Sequence, residues 1–500
     1  MNAIQEKNTA LDRISAVLKK IMICIFLLLV LFGMLAGVYK GLEHKSYLVA
    51  FAAAAVVAGG YLLLARKAEK RAFAIEHMGA VKTGAWLTAI CLAVNFAWVL
   101  LVRVEPTVDY ATFWITAKQL GSSQPLSLAE YIAMFPHILG YSTFLGLFVR
   151  LFGASSMLAP ALNVVLTTAS GLIIYSLCLD RGDLRKAAFA YLLWILCPSV
   201  TLYNTMVLSE PTYTCLILCF MLIVSRLERR IESGDFRWPG GCFAAALAGL
   251  VLSAVNVSRP IAAVLIIAFF IWLFLLRGEA LRDGAQWRRW AAVAACLLAV
   301  YVASGKCWDA YAERVLGEKP AGIPGYSIYV GFDTDSWGSY SPADMDALVS
   351  YRYGPGGSAE YAQKQMLDDA KEHIASGEIN IPKLFAIKLQ TFLGNDEGGA
   401  YYSTASLTPA EYSLCALASN VFYYALVLLA ALGTAREWKR GGRSSLLLTP
   451  LYVIGLTLAQ MLVEVSGRYH YSIIPMLVIA AALSCRGAAA HTERGNNNAA

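Results

Sequence analysis

The sequence predicts an all-α polytopic membrane protein with about twelve transmembrane helices, interfacial helices and one large extracytoplasmic loop of mixed helix and irregular structure. Of its 500 residues, 58% are hydrophobic and only 15% are charged, and the mean hydropathy is +0.56. A soluble fold cannot hide that much apolar surface. The apolar runs are also too long and too continuous for the alternating strands of a membrane barrel, so helices must span the bilayer.

Twelve apolar runs are each close to the length that crosses the hydrocarbon layer as a helix. They are residues 21–39, 47–65, 84–104, 156–179, 187–203, 210–226, 241–257, 260–276, 290–305, 413–433, 445–463 and 471–485. Lys and Arg cluster in alternate connections, at 66–82, 181–186, 226–230, 288–289 and 436–443. Positively charged loops stay in the cytoplasm, so we expect both termini to be cytoplasmic.

A further apolar stretch, residues 135–152, interrupts this count and contains Arg150. If it crossed the membrane, every later basic loop would move to the outer side. We therefore expect an interfacial helix at the outer surface, where its aromatic residues and Arg150 reach the headgroups. A re-entrant or buried arrangement is the alternative.

The expected organisation has five parts. Residues 1–83 form a cytoplasmic segment and a two-helix hairpin, 84–305 a membrane core with a first outer loop at 105–155, and 306–412 an extracytoplasmic loop domain. Residues 413–485 form the last transmembrane helices, and 486–500 a cytoplasmic tail. Segment 306–412 carries 15 Asp and Glu against 8 Lys and Arg, whereas the whole chain has a net charge of +7. An acidic outer segment on a membrane-embedded body makes nucleic acid an unsuitable partner.

Helical periodicity within the outer segment predicts helices at 358–376 and 382–393. The second is amphipathic and contains Lys383 and Lys388, a pattern suited to lying on the outer leaflet.

Four polar residues are predicted at the outer ends of different spans. They are Asp109 after the third span, Glu210 before the sixth, Arg259 between the seventh and eighth, and Arg468 between the last two. Any one of them alone is more commonly an interfacial anchor. Together they could line one cavity.

These positions belong to an ordered series of short motifs in residues 84–485. The series is Glu105-Pro-Thr-Val-Asp109, Phe135-Pro136-His137, Phe152-Gly153-Ala154-Ser155, Ser209-Glu210-Pro211, Ser258-Arg259-Pro260 and Gly467-Arg468-Tyr469-His470-Tyr471. With the topology, it resembles the GT-C superfamily of membrane glycosyltransferases, in the group of the dolichyl-phosphate-mannose protein mannosyltransferases and the aminoarabinose transferase (glycosyltransferase family 39-like).

The resemblance implies a polyprenyl-phosphate sugar donor that reaches the site through the bilayer, with inversion at the anomeric carbon. It places Asp109 at the position of the catalytic acid of the first outer loop, and a carboxylate can take the proton from an acceptor hydroxyl. Arg259 and Arg468 are the candidates for binding the donor phosphate, because guanidinium binds phosphate in bidentate fashion. Weaker substrate-binding candidates are Glu105, Tyr110, His137, Glu210, Tyr469 and His470.

The chain departs from the family pattern beside the candidate base, because Tyr110 stands where many relatives have a second acid. A divalent metal favours several oxygen ligands, so a metal is not supported there and no metal ligand is assigned. Pro136 also stands alone where relatives have paired prolines, and the hairpin before residue 84 is an addition to the usual core.

The leading hypothesis is therefore a multi-pass cell-membrane hexosyl- or pentosyltransferase with its active site on the extracytoplasmic face. Its acceptor is a protein, a teichoic acid, a lipid or a polysaccharide. The alternative is a twelve-span transporter or flippase of lipid-linked envelope precursors, although the chain lacks the internal repeats typical of such carriers. A non-catalytic envelope assembly protein is a third interpretation.

Overall fold

A computed structural model describes residues 2–40, 45–68, 73–180, 184–277, 283–403, 406–440 and 445–485. These residues form helices and connecting turns, and no strand occurs among them. The predicted cytoplasmic tail, 486–500, lies outside the described residues. The fold class is thus confirmed as an all-α, multi-pass membrane protein.

The described residues contain twenty-one α-helices. They are α1 (Asn2–Lys40), α2 (Lys45–Ala68), α3 (Phe73–Leu101), α4 (Val108–Gly121), α5 (Ala129–Met134), α6 (His137–Phe152), α7 (Leu158–Leu179), α8 (Leu184–Ile195), α9 (Pro198–Tyr203), α10 (Glu210–Glu232), α11 (Trp238–Ser258), α12 (Ala262–Ile271), α13 (Gly284–Leu316), α14 (Gly325–Phe332), α15 (Pro342–Tyr353), α16 (Ala359–Ala375), α17 (Ile381–Leu393), α18 (Gly398–Tyr402), α19 (Pro409–Arg440), α20 (Leu448–Leu462) and α21 (Ile474–Ala482).

The bundle has two ends, which we call the loop face and the basic face. The loop face carries the segment between α13 and α19, and the basic face carries Arg229 and Arg277, which form ion pairs with Asp180 and Glu232. Helix α1 shows the direction of crossing. Its Ser15 donates to the carbonyl oxygen of Leu276 at the basic face, and its Ala36 accepts from the side chain of Gln390 at the loop face.

Nine helices in the described part are long and apolar enough to span a membrane, namely α1, α2, α3, α7, α10, α11, α13, α19 and α20 with the short turn before it. The other three predicted spans are interrupted. The span at 187–203 is divided into α8 and α9 before Pro198, and the span at 260–276 ends in a π-helical turn, Trp272–Leu276. The last predicted span, 471–485, begins within a 3₁₀ helix, Gly467–Ile473, which precedes Pro475 in α21. A proline lacks the N–H that a continuous helix requires, which explains the first interruption.

Helix α6 covers the stretch predicted to be interfacial, and its 16 residues make it shorter than the helices that are long enough to span a membrane. It lies beside α4, where Ser142 donates to the carbonyl oxygen of Phe113, and Gly140 packs against the backbone of Val257 in the last turn of α11. Helix α7 then starts again from the loop face. The exposed Leu147, Leu151 and Phe152 give α6 an apolar side suited to an interface.

The outer segment is mostly helical and is built on the membrane bundle. Helix α13 continues through residue 306 to Leu316, so the predicted domain boundary falls inside a helix. The two predicted helices are present as α16, capped by the Ser358 side chain, and α17. Lys383 in α17 is exposed, but Lys388, which the amphipathic pattern assigns to the same surface, is fully buried.

Candidate functional site

Asp109 lies in the first turn of α4, where the chain changes direction after α3. Residues 102–107 are non-helical, Thr107 is the N-cap of α4, and Val108 has a φ of 48°. A left-handed conformation is strained for a β-branched residue, and such strain is typical of functional sites. Asp109 accepts a hydrogen bond from Arg468 at 2.7 Å, across 359 residues of sequence.

Arg468 is the centre of the site. Its guanidinium group pairs with Asp109, lies 3.9 Å from a carboxylate oxygen of Glu210 and donates to the hydroxyl of Tyr110 at 3.5 Å. Its side chain is only 14% exposed. Its Nε is buried without a hydrogen-bond partner in the described part of the chain. One cation is therefore shared between two carboxylates, and it retains an unused donor.

Arg259 follows the last residue of α11 and lies beside Arg468. Both guanidinium groups lie over the ring of Tyr469, at 4.1 Å and 5.5 Å from its centroid. No Asp or Glu oxygen of the described residues comes within ion-pairing distance of Arg259. An arginine that is half-buried without a carboxylate within ion-pairing distance keeps its guanidinium donors available for an anionic ligand.

Glu210 is placed by a polar network where α9 meets α10. Asn204 donates to the side chain of Asn95 at 2.7 Å and accepts from Thr167 at 2.8 Å. Asn163 donates to the carbonyl oxygen of Met206 at 2.7 Å. These buried bonds hold the turn that leads into Glu210, the first residue of α10.

Glu464 also belongs to the site, and sequence reasoning missed it. Its carboxylate accepts from the hydroxyl of Tyr469 at 3.1 Å. Burial raises the pKa of Glu464, while the bond from Tyr469 and the charge of Arg259 lower it. The available signal was a lone acid directly after the apolar span 445–463 and four residues before Arg468.

Tyr402 also belongs to the site. Its ring lies 5.5 Å from the guanidinium carbon of Arg468 and meets the ring of Tyr110 edge to face. Arg468 is thus surrounded by three tyrosines, Tyr110, Tyr402 and Tyr469. Such rings stabilise the cation and exclude water from it.

His137 is the first residue of α6 and lies near Arg259 and Arg468. Burial lowers the pKa of His137 to about 3, and the charge of Arg259 acts in the same direction. The imidazole is therefore neutral at physiological pH. It can accept or donate a hydrogen bond in the site, but it adds no charge there.

Two predicted substrate-binding residues are not brought to this cluster. Glu105 is exposed between α3 and α4, and no hydrogen bond or ion pair joins it to the cluster within the described ranges. His470 faces the interior of the bundle, where its Nε2 lies 3.0 Å from Asp396, and both side chains are 3% exposed. No group of three or more His, Cys, Asp or Glu with a metal-binding arrangement is found among the described residues.

Comparisons with known proteins give a structural likeness but no match in sequence. Neither a protein-family model nor a curated protein matches the sequence. Among solved structures, the chain is similar to the crystal structure of ArnT from Cupriavidus metallidurans bound to undecaprenyl phosphate. The two share 13% sequence identity with a TM-score of 0.33, over 81% of this chain and 78% of that chain.

Proposed function

We propose that this chain is a GT-C-like membrane glycosyltransferase that transfers a sugar from a polyprenyl-phosphate donor to a cell-envelope acceptor. The observation that carries the proposal is the cluster at the loop face. There, the first turn after the third span presents Asp109 directly to Arg468, and Arg259 lies over the same tyrosine ring. A base and two phosphate-binding cations are the groups that this reaction needs.

The two arginines differ in how many of their hydrogen-bond donors are already used, and so in how readily each can bind the donor phosphate. Arg259 has no carboxylate within ion-pairing distance among the described residues, so it can take a phosphate without first losing a partner. Arg468 has an unused Nε and a 2.7 Å pair with Asp109. Both lie where spans end at the loop face, which a phosphate attached to a membrane-embedded polyprenyl chain can reach.

The ion pair suggests how Asp109 becomes a base. While Oδ2 of Asp109 accepts a hydrogen bond from Arg468, that oxygen is occupied by the guanidinium group and is not offered to an acceptor hydroxyl. When the donor phosphate binds Arg468, it competes with Asp109 for the same N–H group. Asp109 is then free to accept the proton of an acceptor hydroxyl.

The reaction then balances with these groups alone. The acceptor oxygen forms a bond to the anomeric carbon, and the bond from that carbon to the phosphate oxygen breaks. The acceptor proton goes to Asp109. The negative charge that develops on the leaving polyprenyl phosphate is stabilised by Arg259 and Arg468.

The loop face is extracytoplasmic in this proposal. Arg229 and Arg277 are at the opposite end of the bundle, together with the other basic connections. The positive-inside rule places that end in the cytoplasm, and both termini with it. The acceptor is then a protein, teichoic acid, lipid or polysaccharide of the envelope.

The fate of the lipid-linked sugar tests the proposal. A strain that lacks this protein should accumulate the lipid donor. Purified protein in nanodiscs should convert that lipid to free polyprenyl phosphate when acceptor membranes are added. If the purified protein instead moves the intact lipid across liposome bilayers without breaking the sugar–phosphate bond, it is a flippase and the proposal is refuted.

A further inference from the structure

Lys388 is a buried lysine that the proposed chemistry does not use. It lies in α17 of the outer segment and is 0% exposed. Its ammonium group donates to the carbonyl oxygens of Gly331 at 2.7 Å, Met461 at 2.9 Å and Val463 at 2.7 Å. An ammonium group has three N–H donors, so all three are used. No carboxylate of the described residues pairs with it.

The three acceptors belong to two helix ends. Met461 is in the last turn of α20, Val463 is the residue that ends α20, and Gly331 is in the last turn of α14. Carbonyl groups at the C-terminus of a helix have no partner within the helix, and a positive charge there is favourable. Lys388 therefore caps two helices at once, one from the outer segment and one from the membrane bundle.

Two glycines make room for this arrangement. A Cβ on Gly331 would lie 2.7 Å from the backbone of Val463. Gly338 has a φ of 79°, and a Cβ there would lie 2.8 Å from Cδ of Lys388. The backbone of α14 thus approaches Val463, and the backbone of the following turn approaches Lys388, more closely than a side chain would allow.

The chain that follows the Lys388 contacts leads directly into the site. Val463 is extended, with φ −127° and ψ 173°. Glu464 donates its N–H to the carbonyl oxygen of Ser327 at 2.6 Å, and Val465 donates to Gly338 at 2.8 Å. Glu464 and Arg468 are the next charged groups along this segment. Any shift of the segment would move Arg468 relative to Asp109.

We infer that Lys388 is a positioning residue that fixes Glu464 and Arg468 by joining the ends of α14 and α20. The inference rests on the proposed function only in taking Arg468 as a donor-phosphate ligand. Lys388 itself is too deeply buried to touch the substrate. Its effect must pass through the 463–468 segment.

The experiment measures binding of undecaprenyl phosphate to purified full-length protein in nanodiscs. Lys388→Met keeps the length of the side chain and removes its donors, and we expect about tenfold weaker binding. Lys383→Met is the matched control, because Lys383 is an exposed lysine of the same helix. It should bind as the wild type does. Lys388→Gln, which keeps two N–H donors, should be intermediate, and it replaces the Met variant if that one does not fold.

A double-mutant cycle separates positioning from general loss of structure. Adding Lys388→Met to Arg468→Ala should weaken binding no further than Arg468→Ala alone, because the lysine acts through that arginine. Additive effects would overturn the inference, as would unchanged binding in a folded Lys388 variant. If the wild type binds the lipid and shows this coupling but transfers no sugar, the proposed function fails while the role of Lys388 stands.

Discussion

Asp109→Asn is the substitution that most directly tests the proposed base. The Asp109 side chain is 46% exposed, so its ion pair with Arg468 is partly screened by solvent. Pairs of this kind contribute about 0–1 kcal/mol to stability. The variant should therefore fold and insert normally. Its transfer rate should fall by about 10² to 10⁴, the usual contribution of a general base.

Donor binding should respond in the opposite direction. Asp109 accepts from the guanidinium group at 2.7 Å, whereas Glu210 lies 3.9 Å from it. Asparagine carries no charge and competes weakly with phosphate for Arg468. Undecaprenyl phosphate should therefore bind the variant at least as tightly as the wild type. Slow transfer with undiminished donor binding is the signature of a base rather than of a phosphate ligand.

The assay measures sugar transfer from purified polyprenyl-phosphate sugar to acceptor membranes, with lipid binding measured on the same preparations. Glu105→Gln is the control, because it removes a charge from an exposed residue four positions earlier. It should transfer at the wild-type rate. If Asp109→Asn also does so, Asp109 is an interfacial residue and the mechanism is wrong.

Three further outcomes are expected. Arg259→Ala should weaken binding of undecaprenyl phosphate by at least tenfold, as loss of a charge-assisted contact predicts; binding equal to the wild type would return this residue to an anchoring role. A membrane-impermeant thiol reagent should label the exposed Cys307 in intact cells but not a cysteine placed at Arg229, and the reverse pattern would invert the topology. In α15, burial raises the pKa of Asp344 to about 6, with Asp333 acting in the same direction. Its contribution to stability is complete below about pH 3.8 and is lost as the pH rises through about 6. Asp344→Asn should therefore raise the thermal midpoint in detergent at pH 8 but not at pH 4, and an equal shift at both values would contradict the assigned cause.

The membrane architecture could be predicted because it depends on local properties. Hydropathy and the positions of basic residues are read from a short window of sequence, and nine of the twelve predicted spans correspond to helices of the described residues that are long and apolar enough to cross a membrane. The interruptions within the other three were not predicted. The break before Pro198 had a local signal in the proline itself, but the 3₁₀ turn at 467–473 depends on which neighbouring groups can satisfy the freed backbone, and this is settled by tertiary packing.

The sequence could also indicate which charges meet at the loop face, but not how they pair. Asp109, Glu210, Arg259 and Arg468 were expected on one side because span ends lie at similar depth. Whether Arg468 pairs with Asp109 or leaves it free depends on differences of about 1 Å between helices. Periodicity carries no information at that scale.

Lys388 shows the limit of such reasoning most clearly. An amphipathic pattern assigns a lysine to a solvated surface, because a buried ammonium group is costly unless every donor is satisfied. Here three carbonyl oxygens from two helix ends, separated by 57 to 75 residues from the lysine, satisfy it. None of these acceptors has a side-chain signature, since any residue supplies a carbonyl group. The trace that remains in the sequence is Gly331 and Gly338, whose missing side chains leave room for the lysine and for the segment that carries Arg468.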